Sequence, residues 1–283
     1  PFLTPDALAI IAIIGAITAL MAAITAVTRN DIKAVLAYST ISQLGYMIMA
    51  LGVGAPVYAF FHLVTHAMFK ACLFLCSGSV IHAMHHSLHE LDDHHTDPQD
   101  MNNMGGLKDK MPITYRTMLV STLAIAGVPF FSGFLSKDGI LAAVLSYYYK
   151  YDGWSIILPI AGFGAAMITA FYMFRLIFKT FHGTPNNKKI YDHVHESSLP
   201  MTLPLMLLSV LSLAFVFTVN MNPLVSKGWF KNLIYDFGKY HNFLNMEYVN
   251  KGIKDAHNDA MFLSLLVAFV GISLSVIIYY LRK

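Results

Sequence analysis

The sequence predicts an all-α fold, a polytopic bundle of about seven transmembrane helices of which one is broken. Hydrophobic residues make up 56% of the 283-residue chain and charged residues only 12%, whereas soluble domains carry about 25% charged residues. Apolar runs of about 20 residues, the length that crosses a bilayer, recur along the chain. The net charge of +3 is small, so composition favours lipids as partners and argues against nucleic acid.

Seven apolar segments are long enough to be spans. The first is preceded by Thr4, Pro5 and Asp6, which supply a cap, a proline for the first turn and an acid near the positive helix end. We predict spans at residues 6–28, 31–54, 56–85, 112–149, 154–181, 199–220 and 257–281.

The fourth span is interrupted near its middle by Gly127, Pro129 and Gly133. It is too short for two full crossings and too long for one perpendicular crossing. Proline removes a backbone donor and clashes with the preceding turn, so we predict one broken helix. Backbone groups freed at membrane depth need protein or water as partners, and transporters place ion sites at such breaks. Ser136 follows the break and belongs to the same candidate hydrated region.

Lysine and arginine in the predicted loops indicate the orientation, because short cytoplasmic loops are enriched in both. One side holds most of them: Arg29, Lys33, Lys108, Lys110, Lys179, Lys188, Lys189, Arg282 and Lys283. The other side holds Lys150 and a long connection, which counts for less. We therefore expect the first side to be cytoplasmic and the second to face outward.

Three titratable residues share one face of the third span. His62, His66 and Lys70 stand at i, i+4 and i+8, so a helix stacks them along one side. One charge at the bilayer centre costs about 2.5–3.5 kcal/mol and marks an ion or proton path by default. The alternative is a pair of hydrogen-bonded core histidines with Lys70 snorkelling to the interface. Because three such residues lie in one row, proton conduction is favoured.

Lys137 and Asp138 follow the break in the fourth span. Adjacent residues do not share a helix face, so they either pair through local unwinding or face separate partners. A polar helix end at the interface is the alternative, but many apolar residues follow Asp138. A buried functional pair is therefore the favoured interpretation.

Accessory polar residues lie in other spans. Gln43 and Tyr46 most often join helices in such positions, and the minority interpretation is a hydrated path. Arg175 is expected to snorkel or pair near the cytoplasmic end of the fifth span. No metal site is predicted. The histidine-rich connection after residue 85 has no recognised ligand spacing, and Cys72 with Cys76 is ordinary for a buried apolar helix.

Several motifs together carry a family resemblance. They are, in order, NDIKAVLAYSTISQLGYMIMALG, FHLVTHAMFKACLFLCSGSVIHAMHH, MGGLKDKMP, GVPFFSGFLSKDGIL and TAFYMFRLIFKTFHG. They resemble the subunit L family of bacterial NADH–quinone oxidoreductase, complex I, whose mitochondrial counterpart is chain 5. The resemblance implies the second of two inverted antiporter-like repeats at residues 1–181. Residues 182–283 would then add two transmembrane helices with an interfacial connection. The chain, which begins Pro-Phe-Leu, would be the C-terminal half of such a subunit.

The resemblance also implies a function. Subunits of this family translocate protons in the membrane arm, driven by redox chemistry elsewhere. Their central relay matches His62, His66 and Lys70, and the outlet lysine with its acidic neighbour matches Lys137 and Asp138. No redox site is expected in this chain. NADH, FMN, iron–sulfur clusters and quinone are expected in other subunits. A neighbouring antiporter-like subunit is the expected partner, and the bacterial inner membrane is the expected location.

Two alternatives stay open. One is the large subunit of a multi-subunit cation/proton antiporter or a membrane-bound hydrogenase subunit, since these relatives share the same core. The other, from a different class, is a purely structural membrane subunit.

Overall fold

The computed structural model describes residues 4–218 and 246–281. Within these ranges the regular structure is helical and contains no β-strand. The α-helices are α1 Pro5–Thr28, α2 Ile32–Gly52, α3 Pro56–Glu90, α4 Pro112–Ala126, α5 Ser132–Tyr151, α6 Ile157–Phe181, α7 Lys188–His193, α8 Leu199–Leu211 and α9 Met246–Ser275. A π-helical segment, Val276–Leu281, continues α9.

The predicted class, an all-α membrane bundle, is confirmed. Five stretches of the described chain are long and apolar enough to cross a membrane: Pro5–Thr28, Ile32–Gly52, Pro56–Glu90, Gly153–Phe181 and Lys251–Leu281. They correspond to the first, second, third, fifth and seventh predicted spans. The last helix begins at Met246, earlier than predicted, because its first turns are polar and lie outside the apolar run.

Small residues set the close packing of α1 against α2. A Cβ atom built on Gly15 would lie 2.3 Å from the backbone nitrogen of Met49, and one on Gly45 would lie 2.5 Å from that of Ala19. Membrane helices without a hydrophobic driving force between them associate through such small residues. The opposite face of α1 is exposed and apolar, as expected for contact with lipid: Ile10, Ile14, Ile17, Met21 and Ile24.

The fourth predicted span is broken, as expected, into α4 and α5. Gly127 ends α4 with a φ of +79°, and Phe130 lies in the break with a φ of +76°. Neighbouring backbone supplies partners for the freed groups. The N–H of Ser132 donates to Ser212 O at 2.9 Å, and the N–H of Ala214 donates to Phe130 O at 2.9 Å.

The same pairing explains a wrong boundary in the sixth predicted span. Helix α8 ends at Leu211 and has 13 residues, which give about 20 Å of the roughly 30 Å that a hydrocarbon core measures. The chain leaves the helix at Ser212 because the next residues bind the break between α4 and α5. The predicted end at residues 219–220 and most of the interfacial connection lie outside the described residues.

Helix α9 packs along α5 and then along α6. A Cβ atom on Gly252 would lie 2.5 Å from Ser146 Oγ on α5. One on Gly271, further along, would lie 2.3 Å from Met167 O on α6. The first turns of α9 therefore lie beside the last turns of α5, and the two helices run antiparallel.

Candidate functional site

The titratable row on α3 is buried inside the bundle. His62 is 0% exposed, and His66 and Lys70 are each 5% exposed. The ring centroids of His62 and His66 are 5.9 Å apart. The predicted alignment on one helix face is therefore present, and that face is turned toward protein rather than toward lipid.

Both ring nitrogens of His62 have polar partners on other helices. Nδ1 lies 2.8 Å from Ser136 Oγ on α5, and Nε2 lies 3.1 Å from Gln43 Oε1 on α2. An amide oxygen only accepts hydrogen bonds, so neutral His62 carries its proton on Nε2 and accepts from Ser136 at Nδ1. Thr65 Oγ1 lies a further 2.8 Å from Ser136 Oγ. Gln43 and Ser136 thus lie beside His62 in the buried row.

His66 lies between His62 and Lys70 along the helix. Its ring meets Phe69 edge-on, with centroids 5.4 Å apart. Among the described residues, His66 Nε2 has no hydrogen-bond partner. A buried polar atom without a partner is costly, so this nitrogen is suited to bind a water molecule or to exchange a proton.

Lys70 does not snorkel to the interface. Its ammonium donates to the backbone oxygen of Leu36 on α2 at 3.0 Å and lies 5.8 Å from the centroid of the Phe74 ring. None of the ion pairs within the described ranges includes Lys70. The amine therefore rests on a carbonyl and an aromatic face, and a proton can leave it without breaking a carboxylate pair.

Lys137 projects from α5 back to the end of α4. Its ammonium donates to Ile125 O at 2.9 Å and lies 5.3 Å from the centroid of the Tyr46 ring. The last carbonyls of a helix have no intrahelical donor and carry partial negative charge, so they favour a cation. Tyr46 is fixed by the hydrogen bond that its hydroxyl donates to Gly162 O. The break between α4 and α5 thus supplies the free carbonyl that the Lys137 ammonium binds.

Asp138 faces away from Lys137 and meets α9. Its Oδ1 accepts from Ser264 Oγ at 3.2 Å, and its Oδ2 lies 3.2 Å from His257 Nδ1. The question that sequence left open is therefore answered in favour of separate partners. The sequence interpretation missed His257 and Ser264. The only available signal was that His257 stands at the start of the last apolar run.

The break itself depends on a close approach of backbones. A Cβ atom on Gly133 would lie 2.0 Å from Ala124 O. Gly133 therefore holds the start of α5 against the end of α4, while Pro129 lies within the break.

Arg175 lies in a separate cluster and joins helix ends. Its guanidinium donates to Arg29 O at 2.7 Å and to Asn30 Oδ1 at 2.6 Å. These partners belong to the turn between α1 and α2. The contacts place the Arg175 guanidinium at this turn rather than beside the histidine row.

The histidine-rich segment forms the end of α3 and the following surface loop. His86 lies 3.3 Å from Glu90 and His94 lies 3.1 Å from Asp92, all four exposed. In the loop, the Thr96 hydroxyl donates to Asp93 at 2.7 Å, which lowers the pKa of that carboxyl. Across the described ranges, no three histidine, cysteine or acidic side chains converge on a metal-sized site.

Cys72 and Cys76 are buried free thiols with sulfurs 3.9 Å apart.

Comparisons with known proteins place these residues in a family context. The family model described as NADH:quinone oxidoreductase/Mrp antiporter, TM, matches residues 1–169. NADH-quinone oxidoreductase subunit L of Neisseria meningitidis serogroup A is 42% identical over 256 residues, which are 82% of this chain and 35% of that protein. NADH-ubiquinone oxidoreductase chain 5 of Allomyces macrogynus is 38% identical over 281 residues, 98% of this chain and 41% of that protein.

The sequence resemblance is confirmed by these relatives, although the chain spans less than half of their length. A chain in the structure of the Mrp complex from Dietzia sp. DQ12-45-1b has a TM-score of 0.65 at 24% identity, covering 96% of this chain and 27% of that one. At such low identity, the likeness bears on the fold alone.

Proposed function

Because the chain belongs to the NADH:quinone oxidoreductase/Mrp antiporter membrane family, we propose that it is the outlet half of a proton-translocating subunit of respiratory NADH–quinone oxidoreductase. Residues 1–181 are the second antiporter-like repeat in this proposal, and residues 182–283 add the following helices. Protons move through His62, His66, Lys70 and Lys137, with Asp138 on the outlet side.

The observation that carries the proposal is the link between the histidine row and the broken helix. Ser136 lies one residue before Lys137 and touches His62 Nδ1. Gly127, Pro129 and Gly133 shape the break that places the Lys137 ammonium on the free Ile125 carbonyl. A titratable row therefore ends beside a lysine whose site is made by the break, which is the arrangement expected of a proton path.

Both lysines are suited to lose and regain a proton. Burial disfavours a charged ammonium, and the backbone carbonyls at Leu36 and Ile125 offset that cost only in part. A neutral lysine here leaves no carboxylate unpaired within the described ranges. Each lysine can therefore exist in either state, and a nearby charge can select between them.

The nearby charge needs to change the proton affinity of a lysine only modestly. Moving one proton against 100 mV costs about 2.3 kcal/mol, which corresponds to roughly a fifty-fold change in proton affinity. A charge shift that starts at the redox centres and reaches Lys70 would drive its proton to Lys137. A following positive charge would then release that proton outward.

The redox chemistry belongs to other subunits in this proposal. NADH, FMN, iron–sulfur clusters and quinone would bind there, and this chain would contribute only proton translocation. Its relatives are named as subunits of such oxidoreductases, which supports membrane-arm partners and in particular a neighbouring antiporter-like subunit. A bacterial inner membrane, with the Lys150 end of α5 facing outward, completes the proposal.

A cation/proton antiporter subunit is the second candidate, supported by the family description. The two candidates differ in their energy source. NADH-driven proton uptake by membrane vesicles supports the oxidoreductase, whereas sodium/proton exchange that persists without NADH supports the antiporter.

Replacement of Lys137 tests the proposed path. In the complete complex in inverted membrane vesicles, we expect Lys137→Met to abolish NADH-driven proton uptake while leaving the complex assembled. Lys150→Met, at the exposed end of the same helix, is the matched control and is expected to pump normally. Normal proton uptake by the Lys137 variant would refute the role.

A further inference from the structure

Helix α9 closes over the carboxylate that follows the outlet lysine. Both oxygens of Asp138 lie against α9, one 3.2 Å from Ser264 Oγ and the other 3.2 Å from His257 Nδ1. The side chains of Asp138 and His257 are 1% and 4% exposed. A buried imidazole and a buried carboxylate therefore meet across two helices that lie far apart in sequence.

His257 stands where α9 changes from polar to apolar. The turns around it carry exposed polar residues on the other faces of the helix: Lys251, Lys254, Asp255, Asn258 and Asp259. From Ala260 to Leu281 the helix carries no charged residue and is mostly apolar. With a rise of about 1.5 Å per residue, His257 is only about 9 Å along the helix axis from Lys251. His257 therefore lies between the buried Asp138 carboxylate and the hydrophilic first turns of α9.

The neighbouring end of α5 is hydrophilic at the same level. Tyr149, which is exposed, donates its hydroxyl to Asp259 Oδ2 at 2.9 Å. Gly252 brings α9 against Ser146, one turn before that tyrosine. The edge between the two helices thus runs from the Asp138–His257 contact to exposed polar groups, on the side that the sequence predicts to face outward.

We propose that His257 is a proton carrier of the outlet, receiving the proton from Asp138 and passing it toward the outer surface. The inference rests on the proposed proton-translocating function and extends it to the last helix. Helix α9 then supplies part of the path and is more than a support for the repeat.

Each step of this transfer moves one proton and no electron. Protonated Asp138 loses its O–H proton to His257 Nδ1, which produces a carboxylate beside an imidazolium. The imidazolium releases the Nε2 proton to water, and the neutral ring returns to the starting tautomer when its Nδ1 proton shifts to Nε2 by way of water. The Asp138 carboxylate is then free to accept the next proton from the Lys137 side.

The competing explanation is that the contact between Asp138 and His257 only holds α5 and α9 together. A glutamine substitution distinguishes this structural role from proton transfer. In His257→Gln, the amide offers a hydrogen-bond donor to the Asp138 carboxylate but does not take up a proton at neutral pH. Asn258→Gln places the same side chain at the adjacent exposed position and is the matched control.

The experiment compares these variants with Lys137→Met in the complete complex in inverted vesicles, with NADH as the electron donor. We expect His257→Gln to assemble and to slow proton uptake on the order of a hundredfold, the lower end of what a positioned acid–base group contributes. Asn258→Gln should match the parent complex. Normal uptake by assembled His257→Gln, with Lys137→Met inactive, would overturn this inference and leave the proposed function standing.

Normal uptake by Lys137→Met as well would instead remove the proposed function on which the inference depends. If His257→Gln does not assemble, His257→Cys takes its place, in right-side-out vesicles with a water-soluble thiol reagent added to the medium. Labelling above the background of Cys72 and Cys76 supports a path that reaches position 257, and its absence opposes it. Failure of both variants to assemble would assign His257 to holding α9 in place and overturn the inference.

Discussion

Ser136 Oγ lies 2.8 Å from His62 Nδ1 and thereby joins the broken helix to the histidine row. The two residues are 74 positions apart in the chain and meet because α3 and α5 pack side by side. Ser136 is also the immediate neighbour of Lys137. That hydroxyl thus ties the central relay to α5, the helix that carries the outlet lysine.

Removal of that hydroxyl should slow proton transfer without preventing assembly. In Ser136→Ala, His62 Nδ1 loses its donor, and the loss of one hydrogen bond costs about 0.5–1.5 kcal/mol. We expect NADH-driven proton uptake to fall roughly two- to tenfold in inverted vesicles. Ser132→Ala is the matched control, because among the described residues Ser132 Oγ has no hydrogen-bond partner. Equal effects of the two substitutions would contradict a specific role for Ser136.

Gly133 is required for the geometry of the break. In Gly133→Ala, the new methyl group would lie 2.0 Å from Ala124 O, and backbone on both sides has to move. Overpacking of this kind costs about 1–3 kcal/mol or more, so we expect a lower thermal midpoint of the purified complex and weak proton uptake.

Gly78→Ala is the matched control for that substitution, because a Cβ atom there meets nothing within 4 Å. It should be neutral or stabilise α3 by about 0.5–1 kcal/mol, since alanine favours a helix more than glycine does. A Gly133→Ala complex as stable as the Gly78→Ala complex would show that the break tolerates a side chain.

Arg175 should affect stability rather than proton transfer. Arg175→Met removes the hydrogen bonds that the guanidinium donates to Arg29 O and Asn30 Oδ1, and a hydrogen bond that involves a charged group contributes about 1.5–3 kcal/mol. We expect a lower thermal midpoint, with normal proton uptake per assembled complex. Arg116→Met, at an exposed position, should change stability by less than about 0.5 kcal/mol. Normal stability with lost uptake would instead give Arg175 a part in transport.

The sequence by itself determined the helical membrane class, the break and the residues of the row. Each of these rests on a local property that acts through helix geometry or backbone chemistry alone. The properties are the length of the apolar segments, the spacing of His62, His66 and Lys70, and the helix-breaking residues Gly127 and Pro129. The motifs likewise sufficed to identify the family, since motif order and residue type are visible without a fold.

Only the tertiary structure decided which groups meet. It placed Lys137 on the Ile125 carbonyl and turned Asp138 toward His257 and Ser264. It also ended α8 at Leu211 by pairing the following residues with the break. These outcomes depend on contacts between segments distant in the chain, where packing and backbone hydrogen bonding in lipid override local propensity. Hydropathy and periodicity describe one segment at a time and carry no information about its neighbour.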